Sequence, residues 1–133
     1  MRQLDSTTFV SGQIAPEDIA ALGVATIVNN RPDGEEPGQP SSDAIAAAAK
    51  AAGVAYRHIP VAGAISLPQV AEMADALAHA EGPVLAFCRS GTRSTYLWAM
   101  ARSRLGDDAD GLVGKAAAAG YDLSPIRAFL AQA

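Results

Sequence analysis

Val84-Leu85-Ala86-Phe87-Cys88-Arg89-Ser90-Gly91-Thr92-Arg93-Ser94 runs four apolar residues straight into the only cysteine of the chain. A short polar loop with one glycine follows, then an arginine and a serine, then a helical pattern from Tyr96 to Leu105. Strand, tight loop, helix: this order places Cys88 at the C-terminal edge of a buried strand, facing the start of a helix. Free backbone N–H groups and the positive end of the helix dipole favour an anion there. A thiol in such surroundings has a pKa of roughly 3.5–7.5 in place of about 8.5. The same amides form a nest for an anionic ligand, and Arg93 can grip that anion through its planar fork. A lone cysteine is often a small buried hydrophobe. At a strand end beside a glycine and two arginines, the pattern argues against that.

Strand and helix alternate on either side of this stretch. Thr7 to Ser11 reads as a short edge strand, Pro16-Glu17-Asp18 opens a short helix, and Gly23 ends it. Val24 to Val28 is a continuous β-rich run of the kind covered on both faces. Asn29 to Pro40 is a loop broken by prolines and glycines, on the edge of an open α/β sheet where ligands bind. Ser41-Ser42-Asp43 caps a helix over Ala44 to Ala52, Val54 to Val61 is a third strand, and Ala62 to Ser66 is a loop without an ionisable group. Leu67-Pro68 begins a helix with Val70, Met73, Ala74 and Leu77 on its apolar face. Beyond Leu105 only helices follow, one over Ala109 to Ala119 and a last one from Ser124-Pro125 with Ile126, Phe129 and Leu130 on one side. The alternation predicts an α/β fold, a mostly parallel central sheet of four to five strands with helices on both faces.

The totals narrow the class. A chain of 133 residues is the size of one domain, taken as 1–133. A net charge of −4 argues against nucleic acid or an acidic membrane as partner, so any positive potential is local, from Arg89 and Arg93. One cysteine excludes an internal disulfide and suits a reducing compartment. The first six residues contain no apolar signal-peptide core and no run reaches membrane-span length, so a cytoplasmic location is expected. One Cys and two separated His give no metal-ligand set.

The Cys–loop–Arg turn resembles two groups of enzymes. Cys88-Arg89-Ser90-Gly91-Thr92-Arg93 matches the Cys-Arg-x-Gly-x-Arg loop of rhodanese sulfurtransferases, one residue shorter than the Cys-x5-Arg of cysteine-dependent tyrosine and dual-specificity phosphatases. The rest of the chain is instead similar to small dual-specificity phosphatases. The strand into Asn29, the segment Tyr56-Arg57-His58-Ile59-Pro60-Val61, a helix, and then the cysteine strand follow their layout. Joined to Asn29-Asn30-Arg31-Pro32-Asp33-Gly34-Glu35, the pattern resembles the bacterial phosphatase-like sulfur-transferase family, whose domains occur alone or fused to beta-lactamase-like hydrolases of sulfide metabolism. The resemblance implies a protein tyrosine phosphatase-like fold, Cys88 and Arg93 as catalytic residues, and Arg89, Ser90, Gly91, Thr92 and Ser94 as the anion-binding loop. It implies no metal or organic cofactor, and a partner enzyme of sulfide metabolism.

Two features turn this reading toward sulfur. Removing one residue from the ring removes about 3.3–3.6 Å of extended chain, and a narrower nest suits a terminal sulfur better than a phosphoryl group. Phosphate ester hydrolysis also needs an acid for its leaving group, worth roughly 10²–10⁴-fold. Dual-specificity phosphatases carry that Asp just past the strand matching Tyr56 to Val61, where this chain has Gly63 in an acid-free loop. Phe87 likewise stands where tyrosine phosphatases have His. The expected reaction therefore moves sulfane sulfur from thiosulfate or a small persulfide through a Cys88 persulfide. The alternative is a phosphatase working through a phospho-cysteine, with Asp33 as a relocated acid and Glu35 or Glu36 also within the same loop. A third reading is an anion- or persulfide-binding module without turnover. Asn30, Arg31 and Asp33 are expected in the pocket wall, with Arg31 and Asp33 as a salt-bridged pair. His58 is expected as a hydrogen-bonded packing residue, Trp98 and Tyr96 as packing or pocket mouth, and Glu35-Glu36 and Asp107-Asp108 as solvated charges.

Overall fold

Alternate residues of the strand Val84–Phe87 face opposite layers, as a pleated strand buried on both sides requires. Val84 and Ala86 join the larger apolar core, and Leu85 and Phe87 the smaller one. The computed structural model, which describes residues 1–130, makes this strand the centre of a five-stranded sheet. In chain order the strands are β1 (Arg2–Gln3), β2 (Thr8–Ser11), β3 (Thr26–Asn29), β4 (Ala55–His58) and β5 (Val84–Phe87). Their spatial order is β1-β2-β5-β3-β4, with β1 antiparallel to β2 and the other pairs parallel.

Helices cover both faces. α1 (Ser42–Ala51) and a 3-10 turn (Pro16–Ala21) place Ile45 and Ile19 on Ile27, Leu85 and Phe87. On the other face α2 (Leu67–Ala78), α3 (Thr92–Arg104), α4 (Ala109–Ala118) and α5 (Arg127–Leu130) build the larger core with Val10, Val28, Val84 and Ala86. Two of the helix starts have a local cause in their caps. The Ser41 hydroxyl accepts from the Ala44 N–H, and Ser66 and Gln69 form a reciprocal capping box at α2.

Three expectations are corrected. β1 was not foreseen: it is a two-residue edge strand, held in a hairpin because Asp5 Oδ1 accepts from the Thr7 and Thr8 amides at 2.9 and 2.7 Å. The segment after Pro16 is a short 3-10 run over Pro16–Ala21. The last helix is divided into a 3-10 turn (Ser124–Ile126) and α5, and Phe129 does not share the buried side of Ile126 and Leu130 but stands 58% exposed.

Because β5 lies between β2 and β3, the loops leaving all three strands meet at one edge of the sheet. That is the edge at which ligands bind in open α/β sheets.

Candidate active site

Cys88 is the first residue past β5, and α3 begins four residues later with Gly91 as its N-cap. Gly91 has φ +93°, and a Cβ there would strike the Tyr121 hydroxyl, so only glycine fits this turn. The turn points three amides at the sulfur. Gly91 N–H donates to Cys88 Sγ at 3.1 Å, and the Ser90 and Ser94 amides do the same. Burial, the largest influence, pushes the thiol pKa up; these hydrogen bonds outweigh it and the pKa lies below its ordinary value. The Ser94 hydroxyl also faces the sulfur, but it has one hydrogen, which goes to Asn30 Oδ1 at 2.8 Å. The backbone amides therefore carry most of the stabilisation. Cys88 is fully buried, against the sequence reading, yet it belongs to neither apolar core. It is enclosed by polar groups.

Arg93, in the first turn of α3, reaches back over the cup. Its Nη1 donates to Glu35 Oε2 at 2.7 Å and to the Val61 carbonyl at 2.8 Å, and its Nη2 donates to Glu35 Oε1 at 2.8 Å. A guanidinium has five N–H groups; the Nε–H and one Nη2 hydrogen are left for the sulfur, which the side chain also reaches, or for an anion beside it. Glu35 Oε1 additionally accepts from Arg31 Nε at 2.9 Å. Arg93 first and Arg31 second, against some burial, hold the Glu35 carboxyl down at about 2. Arg31 is 1% exposed, and its remaining nitrogens donate to Gln13 Oε1 and Glu36 Oε1, both at 3.0 Å. Glu36 Oε2 then lies 4.0 Å from Arg89 Nη2. Three arginines and two carboxylates thus ring the sulfur loop, leaving one positive charge to balance a thiolate.

Residues 1–105 match the family model described as beta-lactamase hydrolase-like protein, phosphatase-like domain. The chain belongs to that family. Within the phosphatase-like domain family it is 44% identical over 95 residues to a beta-lactamase hydrolase-like protein of Xylella fastidiosa, and 43% identical over 96 residues to one of Agrobacterium fabrum. Those matches cover 68% and 71% of this chain but only 22% and 21% of the relatives, so the chain spans about a fifth of their length. A candidate phosphatase of Neisseria meningitidis superposes with a TM-score of 0.81 at 39% identity, covering 97% of this chain and 94% of the other. The active form of Tk-PTP shares the fold, with a TM-score of 0.72 at 18% identity over 97% of this chain and 91% of that one.

The phosphatase-like domain brings together most of the residues singled out in the sequence. Cys88, the loop through Ser94, Asn30 and Arg31 converge, with Asn30 fully buried and donating from Nδ2 to the Ile59 carbonyl at 3.0 Å. Asp33 does not pair with Arg31; its Oδ1 accepts from the Ser42 N–H at 2.7 Å and fixes the start of α1. Glu35 and Glu36 are ion-paired, not merely solvated, and Asp107 is paired with Arg102 at 2.9 Å. His58 bonds the Arg31 carbonyl at 2.9 Å, in the packing role expected of it. Trp98 is buried and donates to Asp5 Oδ2 at 3.1 Å. Gln13 and Tyr121 were missed as site residues, and Glu35, weighed as an acid or a solvated charge, is instead the ion-pair partner of Arg93. Tyr121 donates to the Ser90 carbonyl at 3.1 Å, and Gly12 passes so near the loop that a Cβ would lie 2.8 Å from the Arg89 carbonyl. Among the described residues no three His, Cys, Asp or Glu side chains gather to hold a metal, and no helix is long and apolar enough to cross a membrane.

Proposed function

We propose that this chain is a cysteine-dependent phosphatase acting on small phosphate monoesters through a Cys88 phospho-cysteine. The observation that carries this reading is the Cys88 sulfur held under three amides with Arg93 across it, on a phosphatase-like fold. Cys88 Sγ bonds to phosphorus as the ester P–O bond breaks, the loop amides and the free edge of Arg93 holding the phosphoryl oxygens. The departing oxygen takes a proton from Glu36. Water then attacks phosphorus, the P–S bond breaks with its electrons returning to sulfur, and the proton of that water goes to the Glu36 carboxylate.

Glu36 takes the acid role as the more exposed of the two paired glutamates: one oxygen pairs with Arg31 at 3.0 Å and the other lies 4.0 Å from Arg89, without the bidentate grip that holds Glu35. Asp33 is committed to the backbone of α1, and Glu35 is kept ionised by two arginines. Glu36→Gln is expected to slow phenyl phosphate hydrolysis by roughly 10²–10⁴-fold while sparing p-nitrophenyl phosphate, whose leaving group needs little protonation. Cys88→Ser removes both activities. Equal loss of the two esters in Glu36→Gln would remove Glu36 from the mechanism.

Sulfur transfer is the second reading, favoured by the four-residue spacing between Cys88 and Arg93 and by the acid-free segment after Val61. There the thiolate would attack the outer sulfur of thiosulfate or a small persulfide, the S–S bond would break with sulfite or a thiolate leaving, and an acceptor thiol would remove the sulfur. A partner enzyme of sulfide metabolism would supply or consume it.

A further inference from the structure

The Ser90–Gly91 peptide is gripped from both ends. Its N–H donates to Cys88 Sγ at 3.1 Å, and its carbonyl accepts from the Tyr121 hydroxyl, also at 3.1 Å. The bond is trans, so the two groups point in opposite directions, one toward the sulfur and one away from it. Among the described residues the Tyr121 hydroxyl is the one donor that meets this carbonyl. The hinge beside it is free to turn: Gly91 has φ +93°, and glycine takes the opposite sign of φ as readily. A flip of this peptide would bring the carbonyl to the sulfur in place of the N–H, and that dipole repels both a thiolate and phosphoryl oxygens. On its other side Gly91 is fixed, its carbonyl accepting from the Thr95 N–H at 2.9 Å and the Thr95 hydroxyl at 2.8 Å. Only the Ser90 side needs a latch.

Tyr121 is itself held. It follows α4, its N–H bonded to the Ala116 carbonyl at 2.9 Å, and the Arg2 guanidinium lies over its ring, 5.8 Å from the centroid. Arg2 Nη1 donates to the Ala119 carbonyl at 2.7 Å and fills space that a Cβ at Gly120 would need. A side chain from β1 thus braces a ring at the end of α4, and the hydroxyl of that ring reaches the sulfur loop. Tyr121 lies outside residues 1–105, the part of the chain that matches the family model. We infer that Tyr121 is a positioning residue of the active site: by holding the Ser90 carbonyl, its hydroxyl keeps the Gly91 N–H on the Cys88 sulfur. This deepens the phosphatase reading and rests on it for the loss of turnover, while the state of the thiol is read without it.

Tyr121→Phe keeps the ring under Arg2 and removes only the latch. It also leaves the charges around the sulfur in place: Arg89 in the loop, Arg93 in α3, Glu35 and Glu36 paired with them, and Arg2 over the ring. The phenol itself is neutral across the titration, since burial first, with Cys88 nearby, pushes its pKa above the ordinary value against the pull of Arg2. Cys88 is the only cysteine, so alkylation by iodoacetamide, followed by intact mass, reads its thiolate at each pH. In Tyr121→Phe the midpoint of that titration is expected to rise by about one pH unit, the scale of one lost hydrogen bond to a charged group. Below the new midpoint kcat/KM for p-nitrophenyl phosphate falls about tenfold or more, and the loss shrinks as pH rises through it. A role in packing alone lowers Tm and turnover alike at every pH. An unmoved midpoint, whether or not Tm and turnover fall, overturns the inference and leaves the phosphatase reading standing. If the midpoint rises as expected but neither protein hydrolyses the ester, the positioning role stands and the phosphatase reading falls.

Discussion

Glu35 accepts hydrogen bonds from Arg31 and from both terminal nitrogens of Arg93, so a single carboxylate orients the cation that faces the Cys88 sulfur. A merely exposed ion pair contributes little; this one is bidentate, shared between two arginines, and anchored to a buried guanidinium. The Glu35 carboxyl is held at about 2 against an ordinary 4.5, so the unfolded chain binds the extra proton between those values. Its stabilising contribution is complete above about pH 4.5 and is lost as pH falls toward 2. In Glu35→Gln, Tm should therefore be lower than wild type at neutral pH, and the gap should narrow as pH is lowered through that window. A gap that stays constant from neutral pH down to about 2 would show that the pair adds no pH-linked stability. The same variant leaves Arg93 without its countercharge and should lose about tenfold or more in kcat/KM through misplacement of the guanidinium. Cys88, Arg89 and Arg93 were legible because their relation is local: six residues on one turn. Glu35 was not, since its partner is 58 residues away and two acids in a Pro- and Gly-rich loop look the same whether solvated or paired.

At the scale of the element, the turn from β5 into α3 depends on Gly91. Its left-handed backbone and the Tyr121 hydroxyl above it leave no room for a side chain. Gly91→Ala should cost about 1–3 kcal/mol from the backbone alone, and the shift of the loop should carry the Gly91 amide away from the sulfur. Two readings check it: a drop in Tm, and a Cys88 thiolate titration, followed by ultraviolet absorbance, moved to higher pH. An unchanged titration would mean the Gly91 amide has no hold on the sulfur. This turn was legible because a β-rich run, a glycine and a helical period sit next to one another. β1 was not, because two exposed residues have no periodicity and their pairing with Phe9 and Val10 comes from the Asp5 turn. The division near Ser124 was hidden too, since the spacing of Ile126, Phe129 and Leu130 suits an α-helix while the backbone at Ser124–Ile126 is tighter.

At the scale of the whole molecule, the sheet order brings the site together. Inserting β5 between β2 and β3 sets Gly12-Gln13, the Asn29–Pro40 loop and the Cys88 loop side by side, and Val61 joins them through Arg93. The two apolar layers hold β5 fixed from both faces, so the sulfur is presented at the end of the most constrained strand. The sheet and its layers followed from alternation along the chain, whereas the pairing of loops across the edge depends on β5 entering last, which periodicity does not encode. The most direct test of the central claim is the intact mass of the protein, acid-quenched during turnover of an aryl phosphate and compared with protein treated with glutathione persulfide. The account predicts one added phosphoryl group on Cys88 with the aryl phosphate, absent in Cys88→Ser. A single added sulfur from the persulfide, with no phosphoryl adduct and no ester hydrolysis, would contradict it.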